Sequence, residues 1–352
     1  MTVSLLFPVW YNKNMKKTTA ILPVAGIGKR LQPHTFTLPK VLLSVAGKPL
    51  LGHLIEFILG LGIEEIIFVT GHLGEKIVEY VKSSFPGVRG VFVEQKEFLG
   101  LGYAISLTKG ITDGPILINL GDTLVEGDFQ GMIGGNDHWV GVAEVNDPRR
   151  FGVAIEGDDG RVVKMIEKPS SFLSRLALCG IYYIAESALL YDCLDELIAG
   201  NVQTSGEYQL TDALQKLVDR KVFLRAHRVE RWFDSGKVET LLATNRYLLE
   251  QSSPPLLSLP SVVMNSPVYI SGEAHLQNCV VGPFVSIGKG VHMTNVIIEN
   301  SIVNDHARLK NVVLSDSVIG FSSYFTGNLQ KISLGDSSQV SLQGEEGNEE
   351  SA

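Results

Sequence analysis

From residue 276 to residue 319 the apolar side chains return at a fixed stride: Leu276, Val281 and Ile287, then Met293, Ile298 and Val303, then Leu309, Leu314 and Ile319. The step is five or six residues, each triplet repeats after sixteen or seventeen, and glycines or small polar residues fill the gaps, as in VGPFVSIGKG (281–290). A helix repeats near 3.6 residues and a strand at 2, so neither makes that stride. A three-sided parallel β-helix does, with one residue per face pointing inward on each coil. An irregular β-sandwich is the competing reading of the same residues. The β-helix is assigned to residues 262–340, and the stretch before it, SSPPLLSLPS (252–261), has three prolines in ten residues. Such a stretch makes a stiff connector, expected to hold the C-terminal domain at a fixed distance from the rest and to leave it for assembly. The last residues, 341–352, end in GEEGNEESA. They are acidic, lack large apolar side chains and are expected to be disordered.

Residues 16–251 read differently. Strand candidates TTAILPV (18–24), EEIIFVT (64–70), GVFVE (90–94) and PILINLG (115–121) alternate with amphipathic stretches at 50–62, 74–85 and 101–110. Repeated strand–helix–strand order predicts right-handed crossovers and an α/β fold, a doubly wound, mainly parallel sheet. A more strand-rich stretch follows at 139–145, 161–167 and 179–184, then helices at 186–200 and 236–251. It is the expected lobe over one edge of a ligand cleft.

Length supports the same division, since 352 residues exceed one ordinary domain. A net charge of −8 argues against a nucleic-acid or anionic-membrane binder, whose partner demands a basic surface. It leaves room for a nucleotide held by a few local cations. No apolar run reaches the roughly 20 residues of a membrane span. The three cysteines, Cys179, Cys193 and Cys279, have neither metal nor disulfide spacing, which suggests a reducing cytoplasm. Residues 1–15 look like an N-terminal extension without the marks of a signal peptide, and Met15 opens a short basic lead into the first strand.

The chemistry concentrates in LPVAGIGKRLQPHTFTLPK (22–40). A strand ends at Val24, Gly26 and Gly28 allow backbone N–H groups to approach phosphate oxygens, and Lys29, Arg30 and Lys40 supply charge. Cations and bare amides at a strand's carboxyl end make a triphosphate cradle. It is not a Walker A loop, because Arg30 follows Lys29 where Ser or Thr is needed. Nor is it the dinucleotide fingerprint, which needs glycine where Leu31 stands. The stretch resembles the signature of the sugar-1-phosphate nucleotidyltransferases, Gly-x-Gly-Thr-Arg-Leu-x-Pro-x-Thr followed by Pro-Lys. Pro33, Thr35, Pro39 and Lys40 fall in place, and Lys29 stands where the family usually carries Thr.

Further matches follow in order. Glu94-Gln95 and GLGYA (100–104) resemble the segment that binds the base; Gln95 can pair with uracil, thymine or guanine alike. LGDT (120–123) and WFDSG (232–236) resemble the metal-binding acids, which makes Asp122 and Asp234 the implied Mg²⁺ ligands. FGV (151–153), EKP (167–169) and CGIYY (179–183) resemble the sugar side, implying Phe151, Gly152, Glu167, Lys168 and Tyr182. Many members carry Asn two residues before the Ala of the next strand, where this chain has Arg175. GEYQLTDA (206–213) resembles a helix start near the sugar pocket and reads equally well as a plain N-terminal turn.

The resemblance implies a Rossmann-like catalytic domain, and the β-helix of longer members, which is left-handed. It also implies a reaction. A nucleoside triphosphate, with dTTP or UTP favoured after GLGYA, is joined to a sugar 1-phosphate, glucose 1-phosphate favoured, and pyrophosphate leaves. Catalytic roles fall to Arg30 and Lys40, and nucleotide binding to Gly26, Gly28, Lys29, Gln95 and Gly100. Oligomers of one chain are the expected state. Two other readings stand beside this one: a guanylyl- or cytidylyltransferase of the same fold, and a non-catalytic regulatory subunit. A β-helix acyltransferase is weaker, because about three coils without a His-centred site are few for an acyl-coenzyme A.

Overall fold

The computed structural model describes residues 17–129, 131–252 and 259–327. The expected N-terminal extension, the middle of the prolyl connector and the acidic tail lie outside them.

A nine-stranded sheet organises the first two-thirds of the chain. Its main path runs Val162–Glu167, Gly152–Glu156, Leu176–Ile184, Ile116–Asn119, Thr19–Pro23, Glu65–Thr70 and Arg89–Glu94. The last four are parallel to one another. From Leu176–Ile184 outward the main path turns antiparallel, and His138–Glu144 with Leu224–Arg228 branches off the same central strand. Alternation along the strands explains the two layers. Ala20, Leu22, Ile66, Phe68 and Leu117 face a core shared with Leu51, Ile55 and Ile58 of helix Leu50–Gly60 and Ile77 and Val81 of helix Gly74–Ser84. Ile21, Ile67, Val69, Ile116 and Ile118 face the opposite core, closed by helices Leu101–Ser106, Ser187–Ala199 and Leu210–Asp219. Each such buried Leu or Ile contributes about 1.5–3 kcal/mol. All nine residues of Leu176–Ile184 are buried, as a strand between two helical layers must be.

One helix and a pair of short strands differ from the sequence reading. The helix expected over 101–110 stops at Ser106, where Thr108 folds its hydroxyl back onto the Ile105 carbonyl at 2.7 Å and Gly110 turns left-handed at φ 81°. The short strands Thr123–Glu126 and Arg231–Asp234 pair antiparallel, with Asp234 opposite Thr123. Neither strand has the length or alternation that marks one in sequence, yet their pairing assembles the site.

The C-terminal coils stack in the expected register. Leu276 pairs with Met293 and that with Leu309; Val281, Ile298 and Leu314 align; Ile287, Val303 and Ile319 align. Asn278, Asn295 and Asn311 sit at left-handed φ of 54–55° and drop out of the ladders, so each long strand turns a corner there and serves two faces. Asparagine tolerates that backbone, and its amide closes the corner. Asn278 donates to Asn295 at 3.3 Å and Asn295 to Asn311 at 2.8 Å. The coils also pack against the first two-thirds of the chain. Ile302 packs in one buried cluster with Leu31, Leu43, Leu241 and Leu242. Cys179, Cys193 and Cys279 are free and buried. Among the described residues no helix is long and apolar enough to cross a membrane.

Candidate active site

The loop expected to cradle phosphate is built by constraint at each end. Val24 still bonds to the Val69 carbonyl at 2.8 Å, after which Gly26 stands exposed, with nothing within 4 Å of where a Cβ would point. Gly28 is the opposite case. Its φ of 70° is left-handed, and an added Cβ would lie 3.0 Å from both Lys40 Cβ and Thr35 Cγ2. Thr35 donates its hydroxyl to the Gly28 carbonyl at 3.0 Å and closes the loop. One turn of 3-10 helix, Lys29–Leu31, buries Leu31 and leaves Lys29 and Arg30 exposed. A second, Lys40–Leu42, buries Lys40 and turns its ammonium onto the Asp122 carboxylate.

Asp122 is delivered by a tight approach. Gly121 donates to the Pro23 carbonyl at 3.3 Å, and a Cβ on it would lie 2.7 Å from Val24. Ser235 donates its N–H to the Asp122 carbonyl at 2.9 Å, which together with the Asp234–Thr123 pairing brings the two acids to one end of the sheet. Gly236 links them to the loop, since a Cβ there would lie 2.8 Å from Asp234 Oδ1 and 3.0 Å from Arg30 Nη2. Arg30, Lys40, Asp122 and Asp234 thus come together from three distant stretches of chain. Among the described residues, no three His, Cys, Asp or Glu side chains converge on one point.

In the stretch expected to meet the base, Gln95 is buried, its N–H on the Thr70 carbonyl at 2.7 Å and its Nε2 donating to Glu97 O at 3.0 Å. That contact uses one of the two amide hydrogens. Gly100, at φ 111°, opens the helix that follows, and a Cβ there would meet Tyr208 O at 2.7 Å. Tyr208 accepts from Gly102 and donates to Leu99, both at 2.8 Å, so GEYQLTDA is stitched to the turn at Gly100.

Gly152 and Glu167 face each other across the antiparallel pair Gly152–Glu156 and Val162–Glu167. Glu167 Oε2 accepts the Thr211 hydroxyl at 2.7 Å, and Gly152 leaves 3.0 Å to each of these atoms from its would-be Cβ. Lys168, left-handed at φ 43°, reaches back to Glu167 at 3.3 Å and is half exposed. Phe151 lies edge-on to Trp232 at 4.7 Å, beneath the Arg150 guanidinium at 4.8 Å. Tyr182 belongs to the sheet core, 4% exposed, and burial, with the nearby Glu167 charge second, raises its phenol above the ordinary range. Burial, more than the Glu167 charge, also raises the Asp212 carboxyl, beside Thr211.

Sequence reading left Thr211, Trp232, Arg150 and the glycines Gly121 and Gly236 without roles. A hydroxyl at the second position of helix Leu210–Asp219 was the available signal for Thr211. Trp232, Gly121 and Gly236 adjoin motif acids, but their use depends on a strand pairing that local sequence does not announce.

The chain matches the family model described as nucleotidyl transferase over residues 19–251. It is 31% identical to a low-salt glycan biosynthesis nucleotidyltransferase, Agl11, of Haloferax volcanii, over 92% of this chain and 99% of that one. It is 27% identical, with the same coverage of both chains, to a glucose-1-phosphate thymidylyltransferase of Streptomyces antibioticus. A solved UDP-glucose pyrophosphorylase complexed with UDP-glucose superposes with a TM-score of 0.58 at 24% identity, over 67% of this chain and 100% of that one, a likeness of fold. On the extent of these matches, the chain belongs to the nucleotidyl transferase family.

Proposed function

We propose that this chain joins a nucleoside triphosphate to a sugar 1-phosphate and releases pyrophosphate, with dTTP or UTP and glucose 1-phosphate the favoured pair. The observation that carries the reading is the convergence of Arg30, Lys40, Asp122 and Asp234 through the pairing of Asp234 with Thr123. A phosphate oxygen of the sugar attacks the α-phosphorus, the bond to the bridging oxygen breaks, and pyrophosphate departs. That oxygen is already anionic at neutral pH, so no general base is required. The obstacle is repulsion between polyanions, which positive charge relieves. Arg30 and Lys29 take the leaving pyrophosphate, Lys40 the α-phosphate and Lys168 the incoming phosphate. Glu167, held by Thr211, accepts sugar hydroxyls over Gly152 and Phe151, while Gln95 and Gly100 receive the base.

A divalent cation fits the acid pair. Two carboxylates supply hard oxygen donors, too few for a closed protein cage and suited to Mg²⁺ that shares its shell with substrate phosphates. The ammonium of Lys40 already satisfies Asp122 as a cation partner. Asp122 and Asp234 would hold the ion, which supplies charge neutralisation at phosphate oxygens.

The same reading makes the chain a homo-oligomer, working in a reducing compartment such as the cytoplasm. Val263, Ile297 and Val313 support self-association, since they lie exposed in one register row of the β-helix. Four triphosphates assayed against a panel of sugar 1-phosphates, scoring pyrophosphate release, test the reaction. Release that needs both substrates and peaks with dTTP or UTP is expected; none from any pair would favour a regulatory subunit.

A further inference from the structure

One side chain outside the site joins three segments that carry or support it. Asn245 lies in helix Val238–Gln251, fully buried. Its Oδ1 accepts the Ala46 N–H at 2.8 Å and the Ser286 hydroxyl at 2.6 Å, while its Nδ2 donates to the Phe284 carbonyl at 3.2 Å. Both lone pairs of the amide oxygen are therefore engaged, one by the catalytic domain and one by the β-helix. Ala46 sits in the hairpin Ser44–Pro49, which follows the Lys40 turn directly. Ser286 and Phe284 belong to the second coil. The helix itself begins four residues after Asp234, and Thr244, next to Asn245, bonds Ser235 at 3.0 Å.

Ala46 and Phe284 both have left-handed backbone, at φ 47° and 63°, a conformation that needs a surrounding structure to hold it. Asn245 bonds both. Around it the contact is tight: Gly47 lies so close to Tyr269 of the first coil that a Cβ would come within 2.4 Å of the ring.

We propose that Asn245 is a positioning residue, through which the β-helix fixes the Lys40 turn relative to the Asp234 strand. The C-terminal coils then shape the catalytic site as well as serving any assembly role. The inference rests on the proposed reaction for its kinetic consequence and on geometry alone for its structural one, so two readouts on the full chain separate them. Ser286→Ala removes only the donor on the β-helix and is small enough to fold. Hydrogen exchange at residues 44–48 should speed about tenfold in Ser286→Ala and more in Asn245→Ala, although Ser286 is some 240 residues away in sequence. In the assay, kcat should fall about threefold and about tenfold respectively, with KM for the sugar phosphate unchanged within about twofold. The double variant should match Asn245→Ala, because one node serves both bonds. Unchanged exchange in the hairpin of both single variants would overturn the proposal whatever the activity. So would a fall in stability with wild-type kcat, or additive losses in the double variant. A wild type inactive with every substrate pair would count against the proposed reaction and leave the exchange test to decide this one.

Discussion

The β-helix and the candidate site bury and satisfy their groups by opposite routes. In the β-helix each coil from Leu276 to Leu314 repeats its neighbour's solution: inward apolar residues, an asparagine at a left-handed corner, and ladders to the coils beside it. Its information is spread evenly, so periodicity alone exposes it. In the site nothing repeats. Arg30, Lys40, Asp122 and Asp234 are scattered over some 200 residues, and three kinds of device hold them: 3-10 turns under Arg30 and Lys40, a glycine contact before Asp122, and a two-strand pairing at Asp234. Regular structure tolerates local loss in proportion to the contacts removed, whereas a convergent site fails when any one member goes.

That contrast can be broken from either side. Ile298→Ala empties a fully buried inward position between Val281 and Leu314. It should cost about 3 kcal/mol in denaturant unfolding; a loss under about 1 kcal/mol would show that the inward row is not what holds the coils. Asp122→Ala and Asp234→Ala should each lower turnover at least about a hundredfold, or about 2.7 kcal/mol, with the chain still folded. Near-normal turnover in either at saturating Mg²⁺ would remove the acid pair from the mechanism. Lys168→Ala should raise KM for the sugar phosphate about tenfold and leave that for the nucleotide within about twofold, while Lys40→Ala should do the reverse. Equal effects on both substrates from both variants would mean that the phosphates share one pocket.

The smallest expected effect concerns pH. Burial lowers the imidazole pKa of His34, His53, His138 and His227. The unfolded chain then takes up protons that the folded one refuses, so stability is full above about pH 6.5 and is lost as pH falls below it. His53, bonded to the Val45 carbonyl at 2.9 Å, contributes one share. His53→Gln should make the fall in Tm between pH 7 and pH 5 slightly shallower; an identical slope would exclude that share.

Legibility in the sequence follows the same division. The triplets from Leu276 to Ile319 align on their spacing alone, because their register is the repeat itself. Alternating strands and helices up to Asn119 are also legible, since period-2 and period-3.6 burial leaves direct traces. Resemblance singles out the site residues, but the physics that joins them is not local. The pairing of Thr123–Glu126 with Arg231–Asp234 spans more than a hundred residues and uses two strands of four, too short for a pattern. Tyr182, which the resemblance implies for the sugar side, lies in the sheet core within reach of the Glu167 charge, because its strand has helical layers on both sides.

Gly26 and Gly28 stand two residues apart in that loop and answer to different masters. A lineage selected only to keep its fold would be free to replace Gly26, where a methyl meets nothing, but would have to keep Gly28, whose neighbours leave no room. Relatives that have lost nucleotidyl transfer while keeping this architecture should therefore vary at the first position and hold the second. On the proposed reaction, the residue found at Gly26 in any descendant would record whether that lineage uses the loop to bind phosphate.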